Sequence, residues 1–143
     1  MSQQMSRKAI PYTPVTKELT DMTIMIVSTA GVHLKTQEAY NTAGDATYRI
    51  IPGDVSVNDL TVTHGAPLHD YNWEEPRKDP NTVFPIDRLR ELAKQGEIKG
   101  VAEKHVTMMG YSLRLHEIIA NTAPAIAQEV DRSHADAVLL TAG

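Results

Sequence analysis

Apolar residues along this chain fall into short runs divided by small and polar ones. Met22 to Val27 is a nearly continuous apolar run, the pattern of a strand buried on both faces. Thr47 to Ile51 predicts a second strand, stopped by Pro52-Gly53, and Leu60 to Thr63 a third, short and alternating. His105 to Met109 predicts another. Ala135 to Thr141 predicts the last, running into the small-residue turn Thr141-Ala142-Gly143.

Two stretches carry helical spacing instead. Pro85 opens one, with Asp87 in the first turn, Ile86, Leu89, Leu92 and Ala93 on one face, and Gly96 past the end. In the other, Leu115, Ile118, Ile119, Ala123, Ile126, Ala127 and Val130 repeat at helical intervals. Pro124 there either kinks one long helix or opens a second, with Asn121 or Thr122 as its cap. Strands alternate with helices in the second half. The predicted fold is therefore α/β: a mostly parallel sheet with flanking helices, resembling a Rossmann-like or flavodoxin-like half that stops after a central strand. Residues 1–14, polar and carrying Pro11 and Pro14, read as a flexible arm, and 15–143 as a single α/β domain. Gly65 to Thr82, rich in Pro, Asp and Asn, reads as a long loop. Arm and loop are the expected partner contacts.

Composition narrows the function. With 41% apolar and 22% charged residues, the 143-residue chain has the balance of a soluble globular protein. A net charge of −4 without a basic cluster argues against a nucleic-acid surface. No signal-peptide core precedes Pro11 and no apolar stretch approaches a membrane span, so cytoplasm is the expected location. The chain has no cysteine, which excludes a disulfide, a thiolate zinc site and a cysteine nucleophile within these residues. Neither a P-loop nor a G-x-G-x-x-G pattern occurs, which disfavours nucleotide binding.

Candidate chemistry gathers at the ends of the apolar runs. Ser28-Thr29-Ala30-Gly31, Thr63-His64-Gly65, Met109-Gly110 and Thr141-Ala142-Gly143 are similar small turns. If their strands are parallel, the turns meet on the sheet edge where α/β ligand sites lie. His33 and His64 follow strands there, and each could move a proton or simply satisfy a loop carbonyl. His69 and Asp70 with His64, or His33, His64 and His69, are weak metal-ligand groupings; no metal is expected. His105 begins a strand and reads as partly buried, and His116 and His134 as surface residues. Arg88 could bind a carboxylate or brace the Asp45 region, and Arg49 is a second carboxylate candidate. Asp87 reads as serving the helix start. Met22, Met25, Met108 and Met109 read as core.

The segments Thr29-Ala30-Gly31-Val32-His33-Leu34, Tyr48-Arg49-Ile50-Ile51-Pro52, Phe84-Pro85-Ile86-Asp87-Arg88-Leu89-Arg90-Glu91-Leu92 and Ala137-Val138-Leu139-Leu140-Thr141-Ala142-Gly143 resemble the selenoprotein B family. That family includes the glycine, sarcosine, betaine and D-proline reductases. Its D-proline reductase members share this order and spacing from about Thr13 to Gly143. The segment Ala66 to Pro80 and the stretch Gly110-Tyr111-Ser112-Leu113-Arg114 depart from their pattern, which leaves the substrate open. The resemblance implies a selenocysteine, or cysteine, immediately after Gly143, then two residues and a cysteine. It implies no catalytic residue within this chain, with Gly31, His33, His64, Thr141, Ala142 and Gly143 in support. A selenol at the amino end of a following helix would be an anion, and a selenenyl-sulfide formed with the cysteine would be reduced by a dithiol. The implied partners are a pyruvoyl-bearing reductase subunit and a dithiol or thioredoxin-like donor, in an oligomer. The implied reaction opens D-proline to 5-aminovalerate by breaking the bond between the α-carbon and nitrogen.

Selenocysteine is read from a codon that normally means stop. The expectation is an amino-terminal part of a selenoprotein, ended at such a codon and inert in the reaction. A deliberate truncation or a natural short relative fits the same residues. The competing reading is a non-catalytic α/β binding or partner-interaction module, favoured by the absence of cysteine.

Overall fold

A computed structural model describes residues 13–65 and 72–142. The run predicted from Met22 forms strand β1, Thr23–Ser28, at the centre of the main sheet. On one side it pairs in parallel along its length with β7, Ala137–Thr141. On the other side it pairs in parallel with β5, Gly100–Val101, and then β6, Lys104–Met108. An antiparallel strand, β3 (Tyr48–Pro52), lies beyond β6. The order across the sheet is thus β7, β1, β5/β6, β3. A mostly parallel α/β sheet is what the alternation of strands and helices predicted. One detail differs: β7 lies at the edge among the described residues, and β1 is the central strand.

β5 and β6 act as one interrupted strand. Thr23 faces Gly100, but Val27 faces Val106, so two extra residues enter on the β5/β6 side. His105 fills the resulting gap in the ladder: its Nδ1 accepts the Ile26 N–H at 2.9 Å. It is fully buried rather than partly so.

Side chains of β1 alternate between two cores. Ile24 and Ile26 join Phe84, Ile86, Leu89 and Ile98 on one face, while Met25 joins Val106 with Ile126, Val130 and Val138 on the other. Helix α2, Ile86–Gln95, covers the first face. It ends as predicted at Gly96, whose φ of 78° is left-handed; Gly96 N donates to Ala93 O and Glu97 N to Leu92 O. Leu92 was expected on the buried face, yet it is exposed.

The second face is covered by a helical run from 115 to 133. It consists of α3 (Leu115–Glu117), a π turn over Ile118–Thr122 and α4 (Ala123–Ser133). Pro124 has no N–H to give residue 120, and the widened turn lies just before it. The run neither breaks nor gains a cap at Thr122. That hydroxyl is buried and donates to Ala46 O, anchoring the helix to the loop before β3.

Several short elements were not predicted, β5 among them. β2, Val32–Leu34, pairs antiparallel with β4, Leu60–Val62, as a separate ribbon. A short helix, α1 (Glu74–Lys78), and a 3-10 turn at Pro80–Thr82 occupy part of the expected 65–82 loop. Most of the 1–14 arm lies outside the described residues.

Candidate functional site

The parallel strands end abreast, with Ser28 opposite Thr107 on one side and Thr141 on the other. The chain after each is stitched to its neighbours. Thr29 N donates to Thr141 O (3.0 Å), Gly110 N to Thr29 O (2.7 Å), Gly31 N to Met108 O (2.9 Å) and Thr63 N to Gly31 O (3.0 Å). The four small-residue turns therefore meet on one edge. Thr63 arrives from the antiparallel ribbon, not from a strand of the main sheet. The approach is close. Gly31 has φ 70°, and a Cβ there would lie 2.0 Å from Thr63 O. A Cβ on Gly65 would lie 2.5 Å from Thr42 O. Only glycine fits where backbones pass at this distance.

Two hydroxyls converge on one carbonyl. Ser28 Oγ (3.1 Å) and Thr141 Oγ1 (2.7 Å) both donate to Val83 O, in the loop entering α2. Ala30 N donates to Ser28 Oγ at 3.3 Å. The ends of β1 and β7 are thus tied to one point, and neither hydroxyl is set up as a nucleophile because its proton is committed. Sequence reasoning placed Ser28 in a candidate turn without giving it a role, and it missed Val83. The available signal was a hydroxyl residue closing each of two apolar strands. Ala142 is exposed just beyond the clamp, and Gly143 lies outside the described residues.

The histidines divide by their partners. His33 is buried; Nδ1–H donates to Leu34 O (2.8 Å) and Nε2 accepts from Thr63 Oγ1 (2.8 Å). Both nitrogens are committed, so His33 holds the ribbon end. His64 stacks on Trp73 with ring centroids 3.4 Å apart and planes 15° from parallel. Neither of its nitrogens has a hydrogen-bond partner among the described residues. Desolvation, then the Arg77 cation, holds its pKa below the ordinary value, so the ring is neutral at pH 7. Burial, then Arg90, pushes the pKa of His105 down to about 4. His116 and His134 are exposed, as predicted. His69 and Asp70 lie outside the described residues. Among the described residues no group of three or more His, Asp or Glu could hold a metal ion.

Arg88 does not brace Asp45; it is exposed and pairs with Glu91 at 2.8 Å. Asp87 accepts from Arg90 (2.9 Å), whose other nitrogen reaches Gly53 O and Val55 O, and exchanges hydrogen bonds with Asn81. Its job is structural. Arg49 lies opposite Thr107 in β3 and sits 4.4 Å over the Tyr40 ring. It donates to Thr47 Oγ1, Tyr48 O and Glu38 O, and no carboxylate pairs with it among the described residues. It lines an open cavity of about 510 Å³ with Gln37, Asn41, Asp45 and Thr47. Burial would raise the Asp45 pKa, but hydrogen bonds from Thr47 and Asn41 and the Arg49 charge hold it below the ordinary value. Tyr40 donates to Thr107 O at 2.8 Å, and burial pushes its pKa up to about 12.

The ends of β1 and β7, held by Ser28, Thr29 and Thr141, thus form a fixed edge of closely packed backbone. No helix among the described residues is long and apolar enough to cross a membrane. The profile of the glycine/sarcosine/betaine reductase selenoprotein B family matches residues 3–143. The chain is 47% identical over 132 residues to the D-proline reductase subunit gamma of Acetoanaerobium sticklandii, covering 92% of this chain and 53% of that one. It is 29% identical over 140 residues to the glycine reductase complex component B subunit gamma of Carboxydothermus hydrogenoformans, covering 92% of this chain and 30% of that one. The chain thus spans about half the length of the first relative and less than a third of the second. No solved structure matches it. The chain belongs to the glycine/sarcosine/betaine reductase selenoprotein B family.

Proposed function

We propose that these residues form the amino-terminal part of a reductase subunit whose reducing group follows Gly143 and sits at the carboxyl edge of the sheet. One observation carries the reading. Both Thr141 O and Thr141 Oγ1 are bonded, to Thr29 N and Val83 O, so chain continuing past Ala142 would start from a fixed point beside the end of β1. The relatives' names, subunits of D-proline reductase and of a glycine reductase complex, supply the chemical class.

The substrate would be D-proline or a related amino acid or amine, held by a pyruvoyl-bearing partner subunit. In balance, the bond between its α-carbon and nitrogen breaks, and two electrons and two protons come from a dithiol that ends as a disulfide. A selenocysteine or cysteine after Gly143 would supply a soft, two-electron nucleophile for this.

This chain's own residues have four tasks. Ser28, Thr141 and Val83 O fix the strand end. Gly31 and Gly65 let the backbones of Thr63 and Thr42 pack directly against the edge. His64, neutral and without a described partner, can give or take a proton there. Arg49 suits a substrate carboxylate better than Arg88, whose guanidinium already faces Glu91. Without the downstream group the 143 residues would be inert and serve as scaffold.

The test is to sequence the gene past codon 143 and assay the uninterrupted product with its co-transcribed partner, D-proline and dithiothreitol. A selenocysteine or cysteine codon in frame, and 5-aminovalerate formed at the expense of the dithiol, bears the reading out. A frame without that codon, or no reduction of D-proline, glycine or betaine, overturns it in favour of a non-catalytic partner-binding module.

A further inference from the structure

The two edges of the sheet differ in kind. β3, at one edge, is antiparallel, carries the charged Arg49 and ends in Pro52. Charge and proline are the usual protections of an edge strand. β7, at the other, reads Ala137-Val138-Leu139-Leu140-Thr141, with no charge, no proline and no bulge. That is the sequence of a strand buried on both faces within a parallel sheet. Yet β7 pairs only with β1 among the described residues, and Leu140 is 75% exposed.

The location of the exposed residue is informative. Ala137 and Leu139 pack on the α2 face, and Val138 on the α4 face. By alternation Leu140 belongs to the α4 face. Leu115 and Ile119, on the helical run covering that face, are 63% and 72% exposed. Crossovers between parallel strands are right-handed. The crossover from β6 to β7 moves across β1 and carries its helix on the α4 face. A further crossover outward from β7 has the same direction, so its helix must lie on that same face. The handedness rule thus puts the next helix over the face where Leu140 is bare.

We propose that β7 is an interior strand of the complete fold. Its free edge takes a parallel strand from chain beyond Gly143, joined by a right-handed crossover helix that covers Leu140 and the exposed flank of the 115–133 helix. The occupant follows from length. The D-proline reductase relative has 53% of its chain matched here, so nearly as much again remains to be housed. The inference rests on sheet geometry and on the proposed continuation of the chain beyond Gly143, and it stands whether or not the chain reduces D-proline.

Hydrogen–deuterium exchange on the product of the uninterrupted reading frame tests it. Amides of 137–141 should exchange roughly a hundredfold more slowly than in the 143-residue chain, approaching those of β1. Leu140→Asp in the longer product should lower its Tm, while Leu140→Met should not. Three outcomes overturn the proposal. One is unchanged exchange in 137–141 with a tolerated Leu140→Asp. Another is protection that appears only at concentrations where the 143-residue chain dimerises, which would assign the edge to a second copy. The third is a reading frame that closes at Gly143.

Discussion

Gly31→Ala tests the close packing of the sheet edge. Two costs can be worked separately. The residue has φ 70°, and placing a side chain in the left-handed region costs about 1–2 kcal/mol. The new Cβ would also lie 2.0 Å from Thr63 O, where ordinary contact begins near 3.4 Å. Relief requires the backbones to part by more than an ångström. That sacrifices the Thr63 N to Gly31 O bond (3.0 Å) and strains Gly31 N to Met108 O (2.9 Å), at about 1 kcal/mol each. The total is about 3–4 kcal/mol, or ~10 °C in Tm for a chain of this size. Gly96 supplies the control: its φ is 78°, but nothing lies within 4 Å of an added Cβ. Gly96→Ala should therefore cost only the conformational term, about 1–2 kcal/mol. Urea unfolding followed by circular dichroism, on both variants and the parent, measures the difference. A Gly31→Ala variant no less stable than Gly96→Ala would refute the close approach of Gly31 to Thr63.

Three further outcomes are expected. The single tryptophan, Trp73, reports on His64; its emission should titrate with a midpoint below 6.5 and lose that transition in His64→Ala, whereas a midpoint at or above 6.5 contradicts the stacked, desolvated ring. His105, depressed from 6.5 to about 4, stays neutral when folded while the unfolded chain takes up a proton. Its contribution is complete above pH 6.5 and lost as pH falls toward 4, by about 3 kcal/mol; urea midpoints across that window should decline, and less steeply in His105→Gln. Ser28→Ala and Thr141→Val should each cost about 1 kcal/mol, because Val83 O keeps one donor. The double variant strips both, so it should exceed the sum by at least ~0.5 kcal/mol, and strict additivity would dissolve the clamp.

The sequence by itself determined the parts whose signal is periodic or local. The apolar run in β1, the spacing of Ile86 and Leu89, and the glycine that closes α2 each declare an element through its own neighbours. The small turns after the apolar runs also marked the edge where the strand ends meet. Tertiary structure decided what depends on distant partners. β2 is three residues long and is a strand only because β4 lies beside it. His105 looked like a strand start, but a two-residue insertion in the ladder turns its imidazole into the acceptor for Ile26 N, 79 residues away. His33 and His64 follow strands in the same way, yet one is saturated by Leu34 O and Thr63 and the other stacks on Trp73. Arg88 and Arg49 carry the same group; only the contacts separate a surface ion pair from a cavity lining. Hydrophobic periodicity records which face of an element is buried. A hydrogen bond between residues far apart leaves no such period, so the pairing of Ser28 and Thr141 on one carbonyl emerges only when the strands lie side by side.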